Sequence, residues 1–378
     1  MIVSSQQDQE DYAQRLNRLA FAHGLGFEGQ TRVYPEDFIV DEELGFELDG
    51  EGPHCWLRIK KSMLNTQDVL AALSKSFSLS IKDIGLSGLK DRNGVTSQWF
   101  SLSREVAGTL PNSETPSRFA LDRDGFEILE MVDHMRKLKR GAHKRNRFSI
   151  TVRGLFGDQS GDQSGDQGAI ESRLLAIRDQ GVPNYFGPQR FGRNASNLLK
   201  AERYFRGELK KPTRQLKGFM LSAARSMLFN EVLSKRVESG SWNRVLPGDA
   251  VQFDGSGSFF RHDHEDEAVL ERVDAQECHA TGPLWGRGEL QVGGQVDEFE
   301  RQCLEPFALF KTGLEQNGLS QQRRALRLNL TDLAWVFLDT GVLRLDFTLP
   351  AGAFATSVLR ECIIDTEQRD RHDPLSTS

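Results

Sequence analysis

Between Gly157 and Gly168 the chain reads GDQSGDQSGDQG, twelve residues without one apolar side chain. A tandem repeat of this kind has nothing to bury, so it cannot join a core and is expected to form a flexible loop. Such insertions are tolerated where few contacts cross, which predicts a domain boundary beside it. Length argues the same way: 378 residues exceed what one ordinary core serves, so two domains are expected. The spacing of Asp158, Asp162 and Asp166 does not match the alternating ligands of a calcium loop, and no Glu closes the register.

The N-terminus, MIVSSQQDQEDYAQ, lacks a basic start followed by an apolar stretch, and no apolar run reaches bilayer length. The chain therefore reads as a soluble cytoplasmic protein. Residues 1–30 are polar and weakly patterned, and are expected to be mobile or loosely packed at first. Four cysteines, Cys55, Cys278, Cys303 and Cys362, form no CxxC pair, so neither a zinc site nor a disulfide framework is indicated. HDHEDE at 262–267 has no second ligand group in sequence and is read as solvated surface.

The stretch IGLSGLKDRNGVTSQWFSL, Ile84 to Leu102, carries the strongest chemical signal. Gly88 and Gly94 bracket a charged turn with apolar flanks, which predicts a tight loop between two strands with Asp91 at its centre. Lys90 and Arg92 flank that carboxylate. Nearby cations favour its ionised form, which makes Asp91 an available nucleophile or base if the loop lines a cleft. The plainer reading of LKDRNG is a charged surface turn.

Net charge is −6 and the isoelectric point about 5.8, which taken alone argues weakly against nucleic acid. Placement of cations matters more than their sum. RKLKRGAHKRNR, Arg136 to Arg147, holds seven Lys or Arg in twelve residues and no acid. Arg136, Lys137, Lys139, Arg140, Lys144 and Arg145 are its candidate phosphate contacts, and a second basic concentration runs from Arg190 to Lys217. The basic run leads into an alternation, Phe148, Ile150 and Val152, which predicts a strand with one buried face. Asn146 and Phe148 at its mouth have the components a flipped base needs: an amide to read an edge and a ring to stack on. On the pattern alone, Phe148 reads first as a plain core residue. NYFGPQRFG, from Asn184, interleaves aromatics with Gln189 and Arg190 on a Gly- and Pro-punctuated loop suited to gripping RNA, or to forming a structural turn.

Elsewhere, alternation predicts strands around Phe38–Val40, Cys55–Ile59, Val95–Leu102, Gly125–Val132, Leu333–Leu338 and Leu343–Leu349. Asn65 or Thr66 is expected to cap a helix running to Phe77, and further helices are expected at 169–180, 221–236 and 355–363. The tail from Thr366 is expected to be disordered.

GLKDRNGVTSQWFSL resembles the signature of the tRNA pseudouridine synthase D family, in which a Lys-Asp pair precedes a Thr-x-Gln run and the Asp is catalytic. PEDF with LGFELDGEG and HCWLRIKK, the Asn-Arg-Phe after the basic run, NYFGPQRFG with LSAARSMLFNEVLSKR, and LPAGAFATSVLRE resemble the family's other blocks, in the family's order. Arg32 stands before PEDF where the family pattern has Lys, keeping the charge with a different donor geometry. The resemblance implies an α/β (α+β) fold: a pseudouridine-synthase-type catalytic domain with a mixed, largely antiparallel sheet, built from residues 1–155 and 326–378. An inserted α/β RNA-binding domain would occupy 156–325. It implies isomerisation of uridine to pseudouridine in tRNA, by family analogy at uridine-13, with tRNA as partner and neither metal nor redox cofactor. Asp91 would be catalytic, Lys90 its electrostatic partner, Phe148 the stacking ring, and Phe38, Asn146, Phe354 and Arg32 further substrate contacts. Asp91 is expected at the bottom of a nucleoside-sized hollow walled by these rings. It would attack the anomeric carbon or remove a neighbouring ribose proton. A non-catalytic RNA-binding or chaperone protein is the alternative. A glycosidase with paired carboxylates is disfavoured because only cations flank Asp91.

Overall fold

The computed structural model describes residues 2–108, 126–155, 163–264 and 266–365, and only the backbone of residues 2–8 and 163–166. The chain divides into two compact units. The first comprises residues 27–166, 330–352 and 364–378, and the second residues 1–26, 167–329 and 353–363.

In the first unit, a ten-stranded sheet is assembled by strands distant in sequence. Its early members are β1 (Phe27–Thr31), β2 (Phe38–Glu43), β3 (His54–Ser62), β4 (Gly85–Leu86), β5 (Val95–Ser103), β6 (Phe126–His134) and β7 (Arg145–Arg153). The hairpin Thr331–Asp339 and Val342–Pro350 adds to β7, giving the order hairpin, β7, β2, β5, β3, β6. β2 runs parallel to β5, while β7 on β2, β3 on β5 and β6 on β3 are antiparallel, so the sheet is mixed and largely antiparallel, as expected. β5 is central, and from Val95 to Leu102 every residue is buried. Its sequence carries no charge, which is what a strand covered on both faces requires. The helix Thr66–Ser76 packs Val69, Leu70 and Leu73 against Leu57, Ile59 and Phe100. Its start is set by a capping box, with the Asn65 N–H donating to the Asp68 carboxylate at 2.8 Å.

The second unit centres on a buried helix, Arg214–Glu238, begun by the Thr213 hydroxyl, which accepts from the Leu216 N–H at 3.2 Å. A four-stranded antiparallel sheet accompanies it, in the order Phe259–His262, Asp249–Phe253, Cys278–Leu284, Gln322–Ala325. Gly282 on that sheet has no room for a side chain, because a β-carbon there would lie 3.0 Å from the Phe229 ring of the helix.

Two expectations are corrected. Residues 2–17 form a helix rather than a loose arm: Tyr12, Ala13 and Leu16 share one face at helical spacing and join the second unit's core, and the Tyr12 hydroxyl donates to Glu202 at 3.0 Å. The helix expected from Ala169 begins at Gln163, so the last part of the GDQS repeat is helical, while residues 157–162 lie outside the described residues. Residues 2–26 and 353–363 group with the second unit, and Ile363 also opens a short strand, Ile363–Asp365, that pairs with β1. The reason lies in buried polar contacts that the hydropathy pattern does not encode: the Ser357 hydroxyl donates to the Tyr185 carbonyl at 2.6 Å, and Glu361 accepts from the Ala22 and His23 N–H groups at 2.9 and 3.1 Å. The expected tail from Thr366 lies outside the described residues. Cys55, Cys278 and Cys362 are buried free thiols, and among the described residues no helix is long and apolar enough to cross a membrane.

Candidate active site

Asp91 lies on the loop between β4 and β5, and the backbone of that loop is held from several sides. The Lys90 N–H donates to the Thr66 hydroxyl at 2.9 Å, that hydroxyl donates to Gln98 Oε1 at 3.0 Å, and Gln98 Nε2 donates to the Gly88 carbonyl at 3.1 Å. Lys61, at the end of β3 and 1% exposed, donates through its ammonium to the carbonyls of Leu64 (2.8 Å) and Asp91 (2.7 Å). Burial pulls the Lys61 pKa down to about 8, against the favourable charge of Asp91. Gly94 closes the loop at φ 148°, and a β-carbon there would sit 2.5 Å from the Phe38 carbonyl. The Thr-x-Gln run thus has a local explanation: Gln98 is a polar side chain placed inside the sheet to hold the turn.

The Asp91 carboxylate itself is not at the floor of a hollow in this unit. Its side chain is 65% exposed, with Arg32 Nη2 at 3.7 Å from Oδ2. At that exposure the carboxylate keeps most of its contact with water. A cleft of about 530 Å³ in the same unit is lined by Asp41, Glu43, Phe46, Arg58, Trp99 and others, and Asp91 is not among them. Asp41 and Glu43 alternate with Glu42 along β2, so their side chains stand on the face of the sheet opposite to that of Glu42.

Lys90 is also placed differently from expectation. Its ammonium lies 3.1 Å from Glu42 Oε2 and donates to Asn146 Oδ1 at 2.5 Å, with the side chain 9% exposed. It is Arg32 that approaches Asp91. Glu42 is fully buried and also accepts from the Ser87 hydroxyl and, at 3.3 Å, from the Trp99 N–H. Asn146 Nδ2 faces His143 Nε2 at 3.4 Å, and His143 Nδ1 lies 3.9 Å from Glu42 Oε2. Burial lowers the His143 pKa, which favours the neutral ring. Glu42, Lys61 and His143 were not singled out in sequence, and Thr66 and Gln98 were read only as a helix cap and as part of the Thr-x-Gln run. Glu42 and Lys61 end apolar alternations on the buried face, and a charge at such a position was the available signal.

Of the rings expected around the nucleotide, Phe38 and Phe148 are buried and Phe354 is partly so. Phe38 and Phe148 meet edge to face at 6.3 Å, and Phe148 stacks on Phe347 at 5.3 Å. The Arg32 guanidinium covers Phe38 at 4.0 Å from the ring centre, and its pKa is lowered by desolvation despite Asp91 and Asp365. Asp91, Arg32 and Phe38 therefore form a continuous set from solvent to core. The basic run fills most of the β6–β7 loop and enters the start of β7. Arg136, Lys139, Arg140 and Lys144 are exposed, Lys137 and Arg145 partly so, and Lys137 donates to the Lys82 carbonyl at 3.0 Å. This loop is fastened on both sides of Asp91 in the chain, with the Gly141 N–H on the Ser87 carbonyl at 2.7 Å and the Leu138 N–H on the hydroxyl of Ser101 in β5 at 2.9 Å.

Phe354, Gln189 and Arg190 belong to the second unit, where they come together. Arg190 lies 5.5 Å from the ring centres of both Phe354 and Phe186, those rings are 6.0 Å apart, and the Thr356 hydroxyl donates to Gln189 at 3.5 Å. Arg324 covers Phe186 at 4.2 Å, and burial lowers its pKa to about 10. The aromatic loop therefore divides: Tyr185 and Phe191 are core, while Phe186, Gln189 and Arg190 keep some exposure. Among the described residues no group of His, Cys, Asp or Glu is arranged to hold a metal.

The family model described as tRNA pseudouridine synthase D (TruD) matches residues 17–200 and 193–362. A protein named tRNA pseudouridine synthase D from Methylococcus capsulatus is 45% identical over 343 residues, covering 90% of this chain and 93% of its own. One of the same name from Nitrosococcus oceani is 45% identical over 336 residues, covering 88% and 89%. A crystal structure from Methanosarcina mazei, titled as a tRNA pseudouridine synthase D, superposes with a TM-score of 0.67 at 20% identity, covering 92% of this chain and 97% of that one, a likeness of fold. Matched along nearly its whole length and carrying the Asp91 loop on the shared fold, the chain belongs to the tRNA pseudouridine synthase D family.

Proposed function

We propose that this chain isomerises uridine to pseudouridine in tRNA, by analogy with its family at uridine-13, and that Asp91 is the residue that acts on the ribose. The observation that supports this best is the pairing of a water-accessible carboxylate with a fixed backbone: Asp91 is exposed, yet its carbonyl and its neighbours are tied to Lys61, Thr66 and Gln98. A nucleophile or base needs access to substrate and little freedom of position. The reaction breaks N1–C1′ and forms C5–C1′, with a proton leaving C5 and one arriving at N1, so product and substrate have the same atoms. Asp91 either adds to C1′ as uracil departs, or removes the 2′ proton to give a glycal. In both routes uracil leaves with negative charge, and Arg32 beside Asp91 is the cation placed to meet it. Asn146 is assigned to reading the base, Phe38, Phe148 and Phe354 to the nucleotide contacts, and the exposed basic loop with Gln189 and Arg190 to the RNA backbone. The same reading places the chain in the cytoplasm with its tRNA.

Asp91→Asn should abolish product, read by mass spectrometry of unmodified tRNA after incubation, with tRNA affinity within about threefold of the parent, since one exposed carboxylate contributes little to phosphate binding. Retained turnover by Asp91→Asn would refute the assignment. A parent protein that binds tRNA without converting it would favour a non-catalytic RNA-binding role, and mapping the modified position tests uridine-13.

A further inference from the structure

Glu42 has the features of a residue retained for something other than stability. It is fully buried on β2, the central parallel partner of β5, and three different segments converge on it: Ser87 and Lys90 from the Asp91 loop, the Trp99 N–H from β5, and His143 from the basic loop. A buried ion pair is weak evidence for stability, because desolvation offsets attraction, but it can fix one arrangement of groups against its alternatives. Two arrangements are at stake here. Lys90 adjoins Asp91 in sequence, and without Glu42 its ammonium has the neighbouring carboxylate as an alternative partner. The Asn146 amide can also be turned through half a revolution, exchanging acceptor and donor.

We infer that Glu42 is a positioning residue that acts through Lys90 on both: it holds the ammonium away from Asp91, and it locks the Asn146 amide with its oxygen toward Lys90 and its nitrogen toward His143. The inference rests on the proposal that Asp91 acts on uridine and Asn146 reads the base. Lys90 occupies one acceptor site of the amide oxygen and His143 one N–H, which leaves one acceptor site and one N–H for a ligand. Uracil offers a donor at N3 and an acceptor at O4, whereas cytosine offers an acceptor at N3 and a donor at N4. The two bases therefore call for opposite orientations of the same amide. An amide held one way by a buried ionic clamp discriminates between them, and one that can turn does not. Glu42 is in this sense a determinant of uridine selection without contacting the base.

The test compares Glu42→Gln, Lys90→Met and the double variant with the parent and with Asp91→Asn. It measures kcat and KM for unmodified tRNA, and competition by the same tRNA with cytidine in place of the target uridine. Glu42→Gln should lower kcat by about tenfold or more with KM within about threefold, because the lost interaction belongs to the reacting state. The preference for uridine-containing over cytidine-substituted tRNA should fall by about tenfold, the scale of losing one oriented hydrogen-bond pair. Lys90→Met should reproduce the loss of preference, and the double variant should be no worse than the poorer single one. Unchanged kcat and preference in Glu42→Gln, or losses that multiply in the double variant, would overturn the inference. If Glu42→Gln does not melt cooperatively, an unchanged preference in Lys90→Met overturns it equally. Asp91→Asn separates the two layers: turnover there removes the underlying reading, whereas an inactive Asp91→Asn beside a parent-like Glu42→Gln removes only the role of Glu42.

Discussion

Replacing Lys61 with Met removes a buried cation and two hydrogen bonds at once, and the structure sets the balance between them. The ammonium bonds the Leu64 and Asp91 carbonyls at 2.8 and 2.7 Å. A hydrogen bond from a charged donor contributes about 1.5–3 kcal/mol, so their loss is worth about 3–6 kcal/mol if neither carbonyl finds water. The Asp91 carbonyl lies on an exposed turn where water can replace the donor, which puts the cost near the lower figure. Against it stands the penalty of keeping Lys61 charged. A pKa drawn from 10.5 to about 8 corresponds to about 3 kcal/mol at neutral pH. The two nearly cancel, so Lys61→Met should change stability at pH 7 by no more than about 1–2 kcal/mol, while turnover falls by about tenfold or more because the Asp91 backbone loses its tie. The pH dependence carries the sign. Below pH 8 Lys61 is protonated in both folded and unfolded chains and the whole penalty applies. Between about 8 and 10.5 the unfolded chain holds a proton that the folded one has released, so this group's contribution to stability rises with pH, and above 10.5 the penalty is gone. Urea denaturation of parent and variant at pH 7 and 10 should show the variant losing ground by about 2–3 kcal/mol over that interval. A stability difference independent of pH would refute the buried-cation account, and parent-like turnover would refute the role of the tie.

Two further outcomes follow from the same structure. Arg323→Met in the second unit strands Glu300, which is 2% exposed and whose pKa burial already raises, so urea denaturation should show a loss of about 3–5 kcal/mol; a loss under about 1 would mean the pair is dispensable. Changing the exposed Arg136, Lys139, Arg140 and Lys144 together to Ala should weaken tRNA binding and flatten its dependence on log salt by roughly 0.7–0.9 for each phosphate left without its cation, and an unchanged slope would remove the basic loop from the RNA path.

Lys90 and Asp91 are adjacent and opposite in charge, and sequence reasoning paired them. Adjacent side chains on a loop need not share surroundings, because the backbone of the turn is held by groups from elsewhere in the fold. Lys90 turns inward to Glu42 while Asp91 faces water beside Arg32, a residue far away in the chain. The rings of Phe38 and Phe148 followed the alternation of their strands into the core, which the period-two pattern did express. Phe347, which stacks on Phe148, was legible as a strand residue but not as its partner, because register between distant strands is absent from local pattern. The N-terminal helix was missed because its apolar stripe is narrow and becomes evident only against the second unit's core.

The sequence by itself determined the family, the class of fold, the loop that carries Asp91 and the strands beside it, since these rest on local order of residue types and on periodicity. Only the tertiary structure decided which cation meets which carboxylate, that Lys61 and Gln98 hold the turn, and that residues 2–26 and 353–363 group with the second unit. Those outcomes depend on which groups must share a buried space, and a buried polar group takes its partner from whatever the fold brings within about 3 Å, regardless of separation along the chain.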